Sequence, residues 1–306
     1  VFEISEALLE SATQARIAML RRLIDRMGRI VHSGDDQFAI EPAIGAFDRV
    51  YGGQSLAEAL IAANFTVEPG RLFNSAHCYF LRLGDPTRPT NYVVERLRDT
   101  RSFSIRQVRA EQDGRTIIIV TFSFASPAEG IAHQAAMPPA PPPEAVLPRD
   151  VALIAMHNGR LPKNAGVPWP IDLRHVDHVP WDATIGDGRH RVWMRVDEEL
   201  PDEPLLHACL LLYASDLTMA DAVIAQHPIE WEDLIAGRGY FGASLDHAFW
   251  LHTPVRIDRW LLHVQESTRA VDGRGFITGR FFDRSGVLVA SVAQEIFIKE
   301  ADGERT

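Results

Sequence analysis

Two stretches of this chain repeat the same order of elements, and that repetition restricts the fold more than any single motif. The first begins at Tyr51-Gly52-Gly53-Gln54-Ser55 and the helical segment LAEALIAANF, where Leu56, Ala59, Leu60 and Ala63 share a face. Strand-like runs follow at Asn74–Leu83, Asn91–Leu97, Phe103–Glu111 and Arg115–Phe124, with Asp113-Gly114 turning the last pair. The second begins at Pro204, after which Leu205, Ala208, Leu212, Ser215, Met219 and Val223 recur at helical steps. Asp202 offers this helix a cap, and Pro204 fits its first turn. Its strands read at Ser244–His252, Trp260–Ser267, Gly275–Phe282 and Gly286–Ile298. Setting His77-Cys78-Tyr79-Phe80-Leu81 on His247-Ala248-Phe249-Trp250-Leu251 gives an offset of 170 residues, and Asp113-Gly114 then parallels Ser285-Gly286. Solenoid repeats are shorter, about 20–50 residues. A helix followed by antiparallel strands, made twice, predicts an α+β duplication in which a long sheet wraps one helix per copy.

The flanks divide the chain further. Residues 1–46 form an expected N-terminal helical extension, with Ser5–Met27 an amphipathic helix or helix pair packed outside the main core and Gln37–Ile40 a short strand. The first repeat spans 47–136. A proline-rich linker spans 137–149, reading MPPAPPPEAVLP from Met137 to Pro148. The second repeat spans 150–300 and opens with a helical VALIAMHNG, irregular residues to Trp181 and a strand at Arg191–Val196. Apolar runs such as Ala208–Ala214 are too short to span a bilayer, and no signal peptide is evident. Cys78 and Cys209 sit in apolar segments, which predicts reduced core thiols and a cytoplasmic protein. A formal charge of −10 speaks against nucleic-acid binding.

The two copies differ at polar positions. Asp216 falls on the apolar stripe of the second helix, four residues after Leu212. A buried carboxylate needs partners, so Asp216 is either a satisfied core group or a general base. With Gln54 set on His207, its counterpart in the first helix is Ala63, which cannot act. Ser244 precedes the second copy's first strand motif, and Gln294 interrupts an apolar last strand where the first copy has Phe122 nearby. A strand-entry hydroxyl and a satisfied amide are the plain alternatives for these two. Gly52 and Gly53 either permit close helix packing or present first-turn N–H groups to an oxygen. No His/Cys cluster has metal-ligand spacing, and no G-x-S-x-G elbow occurs.

Together these motifs resemble the acyl-CoA thioesterase II family: YGGQ at 51–54, HCYFLRLG at 77–84, LRDTRSFS at 97–104, YASD at 213–216, DHAFWLH at 246–252 and VASVAQE at 289–295. The resemblance covers roughly Phe47 to Ile298 and implies a double hotdog fold. It implies hydrolysis of fatty acyl-CoA to free fatty acid and CoA, in fatty acid metabolism, without cofactor or metal. In that family an Asp, a Thr or Ser and a Gln hold the hydrolytic water; Asp216, Ser244 and Gln294 match them. Ser244 keeps the hydroxyl of a Thr position but loses its methyl. Gly52 and Gly53 are the expected oxyanion donors, by analogy with hotdog enzymes. Arg96, Arg98, Arg101, Arg106 and Arg109 form a basic run able to hold the CoA phosphates, unless they are a solvated face paired with Glu95 and Asp99. A homodimer or homotetramer is expected. Two rivals exist. A hotdog enoyl-CoA hydratase would use Asp202 and His207, five apart, although the family's intervening Asn-Pro-Leu is missing. A non-catalytic acyl-CoA-binding protein would leave Asp216, Ser244 and Gln294 without a task.

Overall fold

The structure is a computed structural model, and it describes residues 4–42, 49–156, 169–177, 186–229 and 239–300. Five α-helices occur among these residues: α1 (Glu6–Met27), α2 (Gly52–Asn64), α3 (Arg149–Met156), α4 (Pro204–Ser215) and α5 (Asp221–Ile224). The first-half strands are β1 (Val31–Gly34), β2 (Gln37–Ile40), β3 (Leu72–Phe80), β4 (Thr90–Asp99), β5 (Phe103–Gln112) and β6 (Arg115–Ala125). The second half has β7 (Asp172–His175), β8 (Arg189–Arg195), β9 (Tyr240–Ser244), β10 (Asp246–Leu251), β11 (Leu261–Val271), β12 (Arg274–Asp283) and β13 (Leu288–Glu300). All the pairings are antiparallel, and β3 pairs with β10, so the two halves form one continuous sheet. This is the double hotdog: two sheets joined edge to edge, each wrapped on a central helix.

The duplication is written into the backbone. A bulge lies between Arg96 and Arg98 where β4 meets β5, and another between Ser267 and Arg269 where β11 meets β12, 171 residues on. The irregularity between Ala110 and Glu111 recurs between Phe281 and Phe282 at the same offset of 171. The sequence offset of 170 is therefore one residue short. It sets exposed His77 on buried His247, and a slip of one residue exchanges the two faces of a strand. At 171, Ala76 matches His247, Cys78 matches Phe249, and buried faces buried. His77 and Ala248 are then both counterparts and register partners, so an approximate twofold axis passes between them.

Helices α2 and α4 lie antiparallel at the centre. The start of α2 meets the end of α4, where Tyr51 Oη donates to the Tyr213 carbonyl at 3.0 Å. Gly53 sets that closeness: a Cβ there would stand 2.5 Å from the Tyr213 carbonyl oxygen. Every α4 residue from His207 to Ser215 is buried, as expected of a helix that is apolar all round. Asp202 does not cap it. The N-cap is Glu203, with no side-chain bond, and Asp202 instead accepts from Arg256 at 3.3 Å.

The N-terminal extension also departs from expectation. α1 is one helix, capped by Ser5, and its Leu20, Leu23 and Met27 belong to the main core. Buried Arg16 donates to Asp197 and Asp150, each at 2.6 Å, and Arg26 pairs with buried Glu58 of α2 at 2.6 Å. The helix is thus tied to both halves. The proline-rich segment is docked: Trp193 Nε1 donates to the Pro141 carbonyl at 2.8 Å, Arg174 to that of Pro143 at 2.9 Å, and Met137 and Ala140 pack beside Trp193 and Trp260. Part of the stretch before Trp181 lies outside the described residues, but β7 falls within it.

Candidate active site

The carboxylate of Asp216 reaches its place because α4 stops. Asp216 is the C-cap, one residue past the helix, rather than a member of the helical stripe. Its Oδ2 accepts the Gly53 N–H at 3.1 Å. Tyr51, the N-cap of α2, makes no side-chain cap bond, so Asp216 serves that helix end from another element. The unpaired N–H groups and the helix dipole both favour an anion there. Position 52 must also be small, since a Cβ on Gly52 would lie 2.9 Å from Asp216 Oδ2 and 2.8 Å from the Phe80 ring.

Ser244 and Gln294 arrive from the sheet. β9 and β10 are one strand broken at Leu245; Ser244 pairs with Ile296 while Ala248 pairs with Ala293, a shift of one residue. A bulge of this kind re-aims the side chains on one side of it. Here it turns Ser244 to the interior along with His247. Asp246 closes the bulge by accepting the Glu295 N–H at 2.8 Å. Gln294, 1% exposed, points inward from β13. Its Nε2 donates to Asp216 Oδ1 at 3.0 Å and to Ser244 Oγ at 2.8 Å. Three residues from a helix end and two strands thus share one amide nitrogen. His247, which the sequence reading did not single out as a site residue, lies 2.6 Å from Gln294 Oε1 through Nδ1 and 2.9 Å from Ser215 Oγ through Nε2.

Burial pushes the Asp216 carboxyl above its ordinary range, and the charge of His247, the Gln294 and Gly53 N–H groups and the Ser244 hydroxyl oppose that only in part. Burial also holds His247 below the usual histidine range, against the pull of Asp216. The neighbouring Tyr51, Tyr213 and Cys78 are all raised, mainly by burial, and stay protonated. A carboxylate with a raised pKa, half-buried and backed by three donors, has the basicity to take a proton from water.

The same positions in the first half are filled with hydrocarbon. The backbone register sets Phe73 against Ser244, across the bulges at Asn74 and Leu245, and Phe122 against Gln294. Phe73 and Phe122 meet edge to face at 6.1 Å.

The basic run divides between buried and exposed members. Arg106 is a correction: 1% exposed, it donates to Thr66 Oγ1 at 2.8 Å and to Asp99 at 2.9 and 3.0 Å, so its guanidinium is consumed inside the protein. Arg96 holds Asp36 with two bonds of 2.7 and 2.8 Å. Arg98 and Arg101 are exposed, and Arg109 reaches Glu111 at 3.2 Å. Thr66 follows the C-terminal end of α2, roughly 20 Å from Gly53 at 1.5 Å per residue. The hydratase pair is also accounted for: His207 is buried with Nε2 3.1 Å from the Pro201 carbonyl, and Asp202 turns to Arg256.

A family model described as acyl-CoA thioesterase matches residues 174–297, and one described as acyl-CoA thioesterase N-terminal domain matches residues 41–125. Acyl-coenzyme A thioesterase 8 of Homo sapiens is 34% identical over 264 residues, covering 82% of this chain and 81% of its own. Acyl-CoA thioesterase 2 of Haemophilus influenzae is 35% identical over 259 residues, covering 83% and 88%. The crystal structure of acyl-CoA thioesterase II TesB2 from Mycobacterium marinum superposes with a TM-score of 0.74 at 32% identity, over 94% of this chain and 99% of that one. With both halves matched in order and the fold shared, the chain belongs to the acyl-CoA thioesterase family.

Proposed function

We propose that the protein hydrolyses the thioester of acyl-CoA with water activated by Asp216. The observation that carries this reading is the shared Gln294 amide, which holds Asp216 and Ser244 within 3.0 and 2.8 Å of one nitrogen. Asp216 takes a proton from water, and the oxygen attacks the thioester carbonyl carbon. The tetrahedral intermediate then collapses, its C–S bond breaks, and the departing CoA sulfur takes the proton from Asp216. Ser244 accepts from Gln294, turns its own proton to the Asp216 carboxylate, and has a second lone pair left to accept from the water. Gly53 gives its N–H to the base. The first-turn N–H of Gly52 is the donor proposed for the oxyanion.

Exposed Arg98 and Arg101 are the members of the basic run proposed to meet the CoA phosphates. A cytoplasmic setting fits the two buried, free cysteines. Among the described residues, no helix is long and apolar enough to cross a membrane. Exposed Tyr79, Leu83 and Trp250 near the β3–β10 joint support self-association, to be read by light scattering.

The test is release of free CoA from acyl-CoAs of increasing chain length. Asp216→Asn keeps the shape of the side chain and removes the base, so kcat is expected to fall by at least ~100-fold. Wild-type turnover in this variant would overturn the assignment.

A further inference from the structure

The bonding capacity of one amide fixes more of the site than the triad itself. Gln294 gives both of its N–H bonds away, one to Asp216 and one to Ser244. An ionised carboxylate can only accept, so the amide works only with nitrogen toward Asp216. Turned by 180°, Gln294 would set its oxygen against the carboxylate. Nothing in Asp216 or Ser244 prevents that on steric grounds, because the two ends of an amide have nearly the same shape. The orientation has to come from the group facing Oε1, and that group is His247 Nδ1, 2.6 Å away.

His247 can donate there only with a proton on Nδ1. Its other nitrogen, Nε2, lies 2.9 Å from Ser215 Oγ. Ser215 is fully buried at the last turn of α4, and its hydroxyl donates to the Leu212 carbonyl at 2.8 Å. Gln294 Oε1 can only accept, so the 2.6 Å contact itself places a proton on Nδ1, facing Gln294. Ser215, His247 and Gln294 are each 1% exposed or less, so bulk water cannot take over any of these bonds. In the first half, Ala76 stands where His247 does and Phe122 where Gln294 does; the histidine occurs only in the half that has the amide.

We infer that His247 is a positioning residue, which holds the Gln294 amide with its nitrogen toward Asp216 through a buried Ser215–His247–Gln294 hydrogen-bond chain. The inference rests on the proposed role of Asp216. Removing the donor lets the amide turn and deprives ionised Asp216 of a guaranteed N–H. That raises the pKa of the base and moves the acid limb of activity to higher pH. The groups facing Asp216 are Tyr51 and Gly53 at the start of α2, Tyr213 from α4, Cys78 from β3, Ser244 from β9, His247 from β10 and Gln294 from β13, with Asp246 beyond Cys78 and His247. Tyr51, Tyr213 and Cys78 remain protonated through the working range. Asp246 is already engaged by the Glu295 N–H.

The experiment compares three substitutions of His247 in the full chain, with folding followed by thermal melting. Asn places an N–H donor near the position of Nδ1, Gln places one near Nε2, and Leu has none. His247→Leu is expected to lower kcat by roughly 10–100-fold with KM within about twofold, the scale of loss for a misplaced reacting group. His247→Asn is expected to recover most of that loss. Its acid limb in kcat/KM should lie about half a pH unit below that of His247→Leu, since neither variant keeps the imidazole charge and they differ in the donor. His247→Gln should behave like His247→Leu. Wild-type kcat in His247→Leu, or equal activity of the Asn and Gln variants, overturns the inference; the second comparison serves if the Leu variant does not fold. Asp216→Asn is run alongside. If it is inactive while the His247 variants are all fully active, only the positioning role is lost; if it is active, the hydrolytic reading falls and this inference with it.

Discussion

Burial lifts the Asp216 carboxyl, whereas Asp258 is held down at about 2 by Arg256, at 2.5 Å, and by the Leu200 N–H, at 3.0 Å. Both side chains are shielded, and what separates them is the partner: Asp258 has a full cation, Asp216 only neutral donors and a depressed histidine. A depressed carboxyl stabilises the fold above its unfolded pKa of about 3.9, and that stability is lost as pH falls toward its folded value. Asp258→Asn is therefore expected to cost about 1–2 kcal/mol near neutral pH, allowing for the partly open Arg256. The deficit should shrink below pH ~4 and vanish near pH ~2. Thermal melts of both proteins across that range check it; a deficit independent of pH would mean that the charge of Asp258 is not what matters. At this scale a polar residue breaking an apolar pattern marked a buried contact: Gln294 interrupts its strand and bonds Asp216, which lies one residue past the helical stripe it was expected to share. Arg106 was misplaced, yet a signal existed: Val108 and Ala110 follow it at steps of two, and a strand period of two sets all three on one buried face.

The crossing of α2 and α4 is where geometry and chemistry meet. Gly53 lets the helices touch and aims its N–H at Asp216, so one glycine serves packing and the proposed base together. Gly53→Ala would drive a methyl to 2.5 Å from the Tyr213 carbonyl oxygen and 2.6 Å from the Tyr51 ring, neither of which is a flexible tip. The expected result is a loss of about 1–3 kcal/mol in stability, the usual scale of overpacking. An accompanying fall in kcat of at least ~10-fold is expected, because the N–H moves away from the carboxylate. Urea midpoints and initial rates measure the two effects, and full activity in this variant would show that the Gly53–Asp216 contact is dispensable. Helix periodicity located both helices but ran α4 through Val223, whereas the helix ends at Ser215 and Asp216 caps it. The bulge at Leu245, which turns Ser244 inward, adds one residue to a strand without any marker in composition. The same kind of one-residue ambiguity set the repeats at 170 instead of 171, since the two histidines look alike in sequence and differ only in the face they occupy.

Duplication gave the molecule two equivalent frames, and the second holds polar side chains at the positions where the first holds Phe73 and Phe122. The frame survives in both halves because bulges and registers are backbone features, maintained by pairing whatever the side chains are. Where the second half has Ser244 and Gln294 the first has Phe73 and Phe122, which with Phe124 close that space as core. Core packing in one half and, on the proposed reading, reactivity in the other follow from the same pair of positions. Phe122 is fully buried, so Phe122→Ala is expected to cost about 3–5 kcal/mol through lost contacts and the cavity left behind. Its kcat should stay near that of the wild type wherever the protein is folded. Gln294→Ala is the mirror experiment: truncating a residue that orients the base should cut kcat by at least ~10-fold, the scale of a lost positioning contact. Denaturant midpoints with unchanged slope, set beside kcat for each variant, separate the two outcomes. If Phe122→Ala lost turnover in proportion to Gln294→Ala while still folded, the halves would share the chemistry, and the division of labour argued from their registers would be wrong.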